Sequence, residues 1–159
     1  MIEVLVYTNE GSGFFIPGDV YQGLESLWIE DFADDQVNHP KFAVEALADL
    51  TGPDSGTHAI FVAVDTAGNA VGTCFATNDT GIWILDGAFV TKNRREEKIF
   101  SAIMRKVKAE AQLQGITELV ADPSARAPKY WRPALGRWGF TVKEDDPDTL
   151  INRPAFENR

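Results

Sequence analysis

Hydrophobic and polar positions along this chain change period several times, and each change predicts an element. Residues 2–7, IEVLVY, alternate enough to predict a first strand. A glycine-rich turn follows, and Asp19 is suited to cap a helix carrying Val20, Leu24, Leu27, Trp28 and Phe32 at helical spacing. Pro40 can open a second helix with Phe42, Ala46, Leu47 and Leu50 along one side, and the cluster TGPDSG at 51–56 ends it. The period then drops. Residues 58–64 (HAIFVAV) read as a strand, Asp65 to Asn69 as a turn in which Gly68 supplies positive φ, and Ala70 to Thr77 as the returning strand. After a turn at 78–81, residues 82–90 (IWILDGAFV) predict a long buried strand.

Helical spacing returns from Arg94 to near Gln114, about five turns, with Gly115 as the C-terminal cap. Ile116 to Ala121 predict a strand parallel to the preceding one, because a helical crossover joins them. A short helix interrupted by proline, a Trp138-Gly139-Phe140 corner and a strand near Phe140 to Lys143 follow; one more short strand is expected around Thr149 to Asn152. No repeat or linker breaks the chain. The pattern describes one α/β domain over residues 1–159, with a mixed sheet and an acidic tail at 144–159.

Composition narrows the function classes. With 44% hydrophobic and 25% charged residues, the 159-residue chain is expected to be an ordinary soluble globular domain. Neither a membrane span nor a signal-peptide pattern is visible, and the single cysteine, Cys74, offers no disulfide framework, so a cytoplasmic location is the expectation. The net charge of −9 argues against direct nucleic-acid binding, which phosphate neutralisation drives. Basic residues nevertheless gather at Lys92 to Lys108 and Arg126 to Arg137. That suits either a small polyanion or a solvated helix face.

The stretch VTKNRREEKIFSAIM (Val90 to Met104) is where a strand turns into a helix. A helix start offers unpaired N–H groups and a positive dipole end, so three nearby cations, Arg94, Arg95 and Lys98, fit a phosphate site. The alternative is a self-satisfied start, in which Asn93 and Glu96 form an N-x-x-E capping box.

The order of elements, this stretch and the LGRWGF ending resemble the GNAT superfamily of acyl-CoA-dependent N-acyltransferases, most strongly over residues 15–143. The hairpin FVAVDTAGNAVGTCFA, with Gly72 after Val71, shares the look. The resemblance implies a single-domain α/β fold: a mixed, mostly antiparallel sheet flanked by helices, with one parallel strand pair joined by the long central helix. It also implies acetyl-CoA as co-substrate. Backbone amides near Phe89 and Val90 would hold its pantetheine arm, with Arg94, Arg95, Lys98 and Ser101 at the pyrophosphate. The family's corner carries glycines where this chain has Glu96, Lys98 and Phe100, and the family's fourth-helix tyrosine corresponds to Leu135. Tyr130 lies more than a turn earlier, beyond Pro133, and serves as proton donor only if the backbone there is rearranged.

Asp86 sits in an otherwise apolar strand. There it is either a desolvated base facing the acceptor amine or a carboxylate bonded at a bulge beside Gly87. Asp122 is a weaker acid candidate, His39 and His58 have no partners at metal or triad spacing, and Cys74 reads as core. The sequence leaves open an acetyltransferase with a cationic amine acceptor, such as a polyamine, an aminoglycoside or a lysine side chain. The alternative is an inactive protein of the same fold that contacts virion or host proteins, since the replaced corner glycines and fourth-helix tyrosine also resemble small GNAT-like proteins of tailed bacteriophages. An acidic mimic of DNA is a third class.

Overall fold

A computed structural model describes residues 1–34, 40–121, 135–143 and 146–152. The strands are β1 (Glu3–Thr8), β2 (Thr57–Val64), β3 (Ala70–Asp79), β4 (Ile82–Val90), β5 (Glu118–Ala121), β6 (Thr141–Lys143) and β7 (Asp146–Asn152). The helices are α1 (Gly18–Asp34), α2 (Pro40–Thr51) and α3 (Ile99–Leu113), with a 3-10 turn at Lys92–Glu97. All the strands join one sheet in the order β1-β2-β3-β4-β5-β7-β6. Every neighbouring pair is antiparallel except β4 and β5, which run parallel because α3 carries the chain back across the sheet. This is the predicted mixed, mostly antiparallel α/β architecture.

Each face of the sheet has its own core. Ile99, Ile103, Met104, Val107 and Ala111 form the buried stripe of α3 and pack on Phe61, Cys74, Trp83 and Leu85. On the other face Leu24 and Trp28 of α1, with Ala43 and Leu47 of α2, cover Ile60, Val62 and Phe75. Phe42, predicted on the buried side of α2, is instead 46% exposed, and Ala43 takes its place. Gly72 lets α3 approach β3: a Cβ there would lie 2.9 Å from Ile103 Cδ1 and 3.0 Å from Ile99 Cγ2.

The ends of elements follow local chemistry in three places. Helix α1 starts at Gly18, so Asp19 lies in its first turn, near the positive dipole end, and not at the cap. Helix α3 ends as a Schellman motif: Gly115 has φ +72°, its N–H bonds the Gln112 carbonyl, and Ile116 N–H reaches Ala111 O at 2.8 Å. The Gly-Phe corner repeats the motif, with Gly139 at φ +87° and Phe140 N–H on Leu135 O at 3.1 Å. The expected tail strand at 149–152 is longer, β7, and it lies between β5 and β6.

Candidate functional site

Among the described residues β4 and β5 pair from Ile82↔Glu118 to Leu85↔Ala121, and β4 runs on to Val90. Among the described residues no strand faces that edge of β4 beyond Leu85. The β3–β4 register slips between Thr73↔Phe89 and Phe75↔Asp86, which leaves one extra residue on β4. Gly87, at φ +60°, sits in this bulge, and a Cβ on it would meet Trp28 Cζ2 at 3.1 Å. Thr91 donates its N–H to Val71 O at 3.0 Å, and Val90 lies opposite Gly72. Antiparallel pairing alternates along a strand, so Phe89 and Thr91 turn their backbone groups toward β3 and Val90 turns its own outward.

Asp86 is exposed, so the desolvated carboxylate among the expectations is not found. The period of two puts Ile84 and Asp86 on the face that α1 and α2 cover, but beyond the edge of that cover; Ile84 is 39% exposed. The bulge alternative describes what is there: Asp86 Oδ1 accepts the Gly87 N–H at 2.7 Å. Asp86 lies opposite buried Phe75, whose ring is 5.2 Å from that of Trp28. The Trp28 indole N–H is buried with no hydrogen-bond partner among the described residues.

The corner after β4 starts α3 later than the helical spacing predicts. Helix α3 begins at Ile99, not Arg94, and spans 15 residues, about four turns. Asn93 and Glu96 both fall inside the 3-10 turn, so Asn93 is not an N-cap residue; the residues that are, Thr91 for the turn and Lys98 for α3, make no side-chain cap hydrogen bond. The residue before α3 is Lys98, at φ +60°, where a side chain costs about 1–2 kcal/mol relative to right-handed backbone. This is one of the positions at which the GNAT motif has glycine.

The corner is tied down by side chains from elsewhere. Glu30 of α1 accepts the Thr91 hydroxyl at 2.7 Å and the Lys92 N–H at 3.0 Å. Arg94 pairs with Asp65 in the β2–β3 turn at 3.0 Å, and Arg95 Nε donates to Val90 O at 3.0 Å while its guanidinium lies over the Phe89 ring. The bond from the Asn69 N–H, and then the Arg94 guanidinium, hold the Asp65 carboxyl below its ordinary range. Ser101 accepts the Trp138 indole N–H at 3.4 Å, and Lys98 is exposed. Phe89, Val90, Arg94, Arg95, Lys98 and Ser101 therefore do gather around the end of β4 and the start of α3, but both arginines also bind the fold itself.

Of the remaining candidates, Tyr130, Asp122 and His39 lie outside the described residues. His58 Nε2 is 2.8 Å from Gln114 Oε1, and the described residues hold no group of His, Cys, Asp or Glu able to bind a metal. Cys74 is buried, and burial pushes its thiol up to about 12, with Asp86 adding to the shift; it is core, as expected. No helix among the described residues is long and apolar enough to cross a membrane. Sequence reasoning missed Glu30, and it read Asp65 only as a turn residue, since neither carries a local signal for its partner at the corner.

No protein-family model and no curated protein matches the sequence. Solved structures do match the fold. An acetyltransferase of the GNAT family from Staphylococcus aureus Mu50 superposes with a TM-score of 0.72 at 15% identity, over 97% of this chain and 99% of that one. PaiA N-acetyltransferase from Thermoplasma acidophilum, in complex with coenzyme A, gives 0.66 at 11% identity over 95% and 96%. A GNAT family N-acetyltransferase (YhbS) from Escherichia coli, in complex with CoA, gives 0.67 at 16% identity, covering 99% of this chain and 84% of that one. The chain has the GNAT fold.

Proposed function

We propose that this protein is an acyl-CoA-dependent N-acyltransferase that moves an acetyl group from acetyl-CoA to an amine. The observation that carries the reading is the register of β4 against β3, which beyond the bulge at Gly87 turns the backbone of Val90 to the strand edge away from β3. Such an edge can pair with the amides of a pantetheine arm as another strand would. The outward N–H of Val90 would meet that arm or the thioester oxygen. Lys98 keeps the left-handed backbone that a glycine corner uses, so the backbone of the corner fits a pyrophosphate although its side chains differ from the motif. The neutral amine nitrogen would attack the thioester carbon, the C–S bond would break, and the leaving thiolate would take the proton that the nitrogen sheds as the amide forms. Asp86, exposed beside the aromatic pair Trp28 and Phe75, would accept the proton from a cationic acceptor.

A second reading is a non-enzymic protein of the same fold that works through protein contacts. The engagement of Arg94 by Asp65 and of Arg95 by Val90 favours it, because both cations are committed within the chain. Titration of acetyl-CoA and CoA, by calorimetry and by thermal shift, separates the two. For an acyltransferase, ligand at one hundred times Kd stabilises the fold by about 2.7 kcal/mol. Absence of any shift at about 1 mM CoA overturns the first reading in favour of the second.

A further inference from the structure

Helix α1 meets the far half of β4 at two points. Trp28 lies over the bulge at Gly87. Glu30, further along the same helix, spreads its carboxylate over two consecutive residues, accepting the Thr91 hydroxyl on Oε1 at 2.7 Å and the Lys92 N–H on Oε2 at 3.0 Å. Those residues mark the point where β4 stops and the 3-10 turn begins. Hydrogen bonds to an ionised acceptor are shorter and stronger than neutral ones, and two on one rigid carboxylate fix direction as well as position. The Thr91 N–H is already held by Val71 O, and its carbonyl accepts the Arg94 N–H at 3.0 Å. Thr91 is thus bound through its N–H, its C=O and its hydroxyl, and only the last of these depends on α1.

We propose that Glu30 is a positioning residue for acyl-CoA binding: it clamps the end of β4 and the following turn to α1, in the arrangement that carries the outward Val90 edge into α3. The proposal rests on the acyltransferase reading above. Glu30 touches no reacting atom. It acts through Thr91 and Lys92, so its loss loosens the binding edge without opening the core.

The test compares wild-type protein with Glu30→Ala and Glu30→Gln, using CoA affinity by calorimetry and amide exchange of Lys92 and Phe61 by NMR. Glu30→Ala is expected to raise the Kd for CoA about tenfold and to speed Lys92 exchange about tenfold, with Phe61 unchanged. Glutamine keeps a carbonyl oxygen for Lys92 and an amide that can donate to the Thr91 hydroxyl, so it is expected to restore affinity to within about threefold of wild type. Should Glu30→Ala not fold, Thr91→Val, which removes only the hydroxyl, is expected to raise the Kd about threefold. Equal CoA affinity in wild type and in Glu30→Ala, or in Thr91→Val where that variant is used, overturns the role of Glu30 alone. A wild type that does not bind CoA overturns the acyltransferase reading, and this role with it.

Discussion

The two ends of α3 are built on opposite plans. Its C-terminal end is held by its own neighbourhood: Gly115 N–H bonds Gln112 O, Ile116 N–H bonds Ala111 O, and Ala111 and Ile116 are both buried in the same core. Its N-terminal end has no side-chain cap of its own and is preceded by Lys98 in left-handed backbone. The turn before it is fixed from a distance, by Glu30, which lies 61 and 62 residues from Thr91 and Lys92, and by Asp65, 29 residues from Arg94. A locally closed end is settled as soon as the helix forms. An end held by remote carboxylates takes its shape from the finished fold, and single substitutions on other elements can retune it.

The largest expected effect comes from lifting the start of α3 off the sheet. Gly72→Ala would put a Cβ 2.9 Å from Ile103 Cδ1, 3.0 Å from Ile99 Cγ2 and 3.3 Å from the Phe89 carbonyl, and is expected to cost about 1–3 kcal/mol in denaturant melts. Unchanged stability would mean that this end of α3 can shift freely over β3.

Exchanging the residue types at the two ends gives effects of opposite sign. Gly115→Ala, at φ +72° with open space around it, is expected to destabilise by about 1 kcal/mol. Lys98→Gly is expected to stabilise by about 0.5 kcal/mol, because release of left-handed strain exceeds the entropy that glycine adds to the unfolded chain. Midpoint shifts at constant m-value would check both, and shifts of the same sign would remove the contrast between the two ends.

The smallest effect is on pH dependence. The Asp65 carboxyl is held below its ordinary 3.8, first by the Asn69 N–H and then by Arg94. Its charged form is favoured by folding. Its contribution is therefore complete above the unfolded value and lost as pH falls through the lower folded one. Asp65→Asn is expected to flatten stability against pH on the acid side, below the ordinary 3.8, and an unaltered slope would mean that Arg94 and Asn69 do not hold the charge.

The same contrast explains what could be read in advance. The β2–β3 hairpin was legible because its turn is self-contained: Asp65 Oδ1 accepts the Ala67 and Asn69 N–H groups at 3.0 and 2.9 Å, and Gly68 takes φ +85°. Gly115 was legible as a cap for the same reason. The spacing starts α3 at Arg94, with an Asn93–Glu96 box as one alternative for the corner, whereas α3 starts at Ile99, since the partners that hold residues 91, 92 and 94 at the 3-10 turn lie on α1 and at Asp65. Asp86 showed its neighbours but not its exposure, which depends on where α1 stops covering the sheet. The tail strand was underestimated because β7 is secured on both sides, by Leu150↔Ala121 and Leu150↔Val142, pairings that no local pattern around Asp146-Pro147-Asp148 announces.

Cys74 gives the molecule a chemical clock. Its thiol lies in β3, next to β4 in the sheet, fully covered and pushed up to about 12, so a thiol reagent at neutral pH meets almost no thiolate while the sheet is closed. Because the chain has no other cysteine, the rate at which that reagent is consumed counts the openings of the central sheet. A ligand seated along β4 would slow that count.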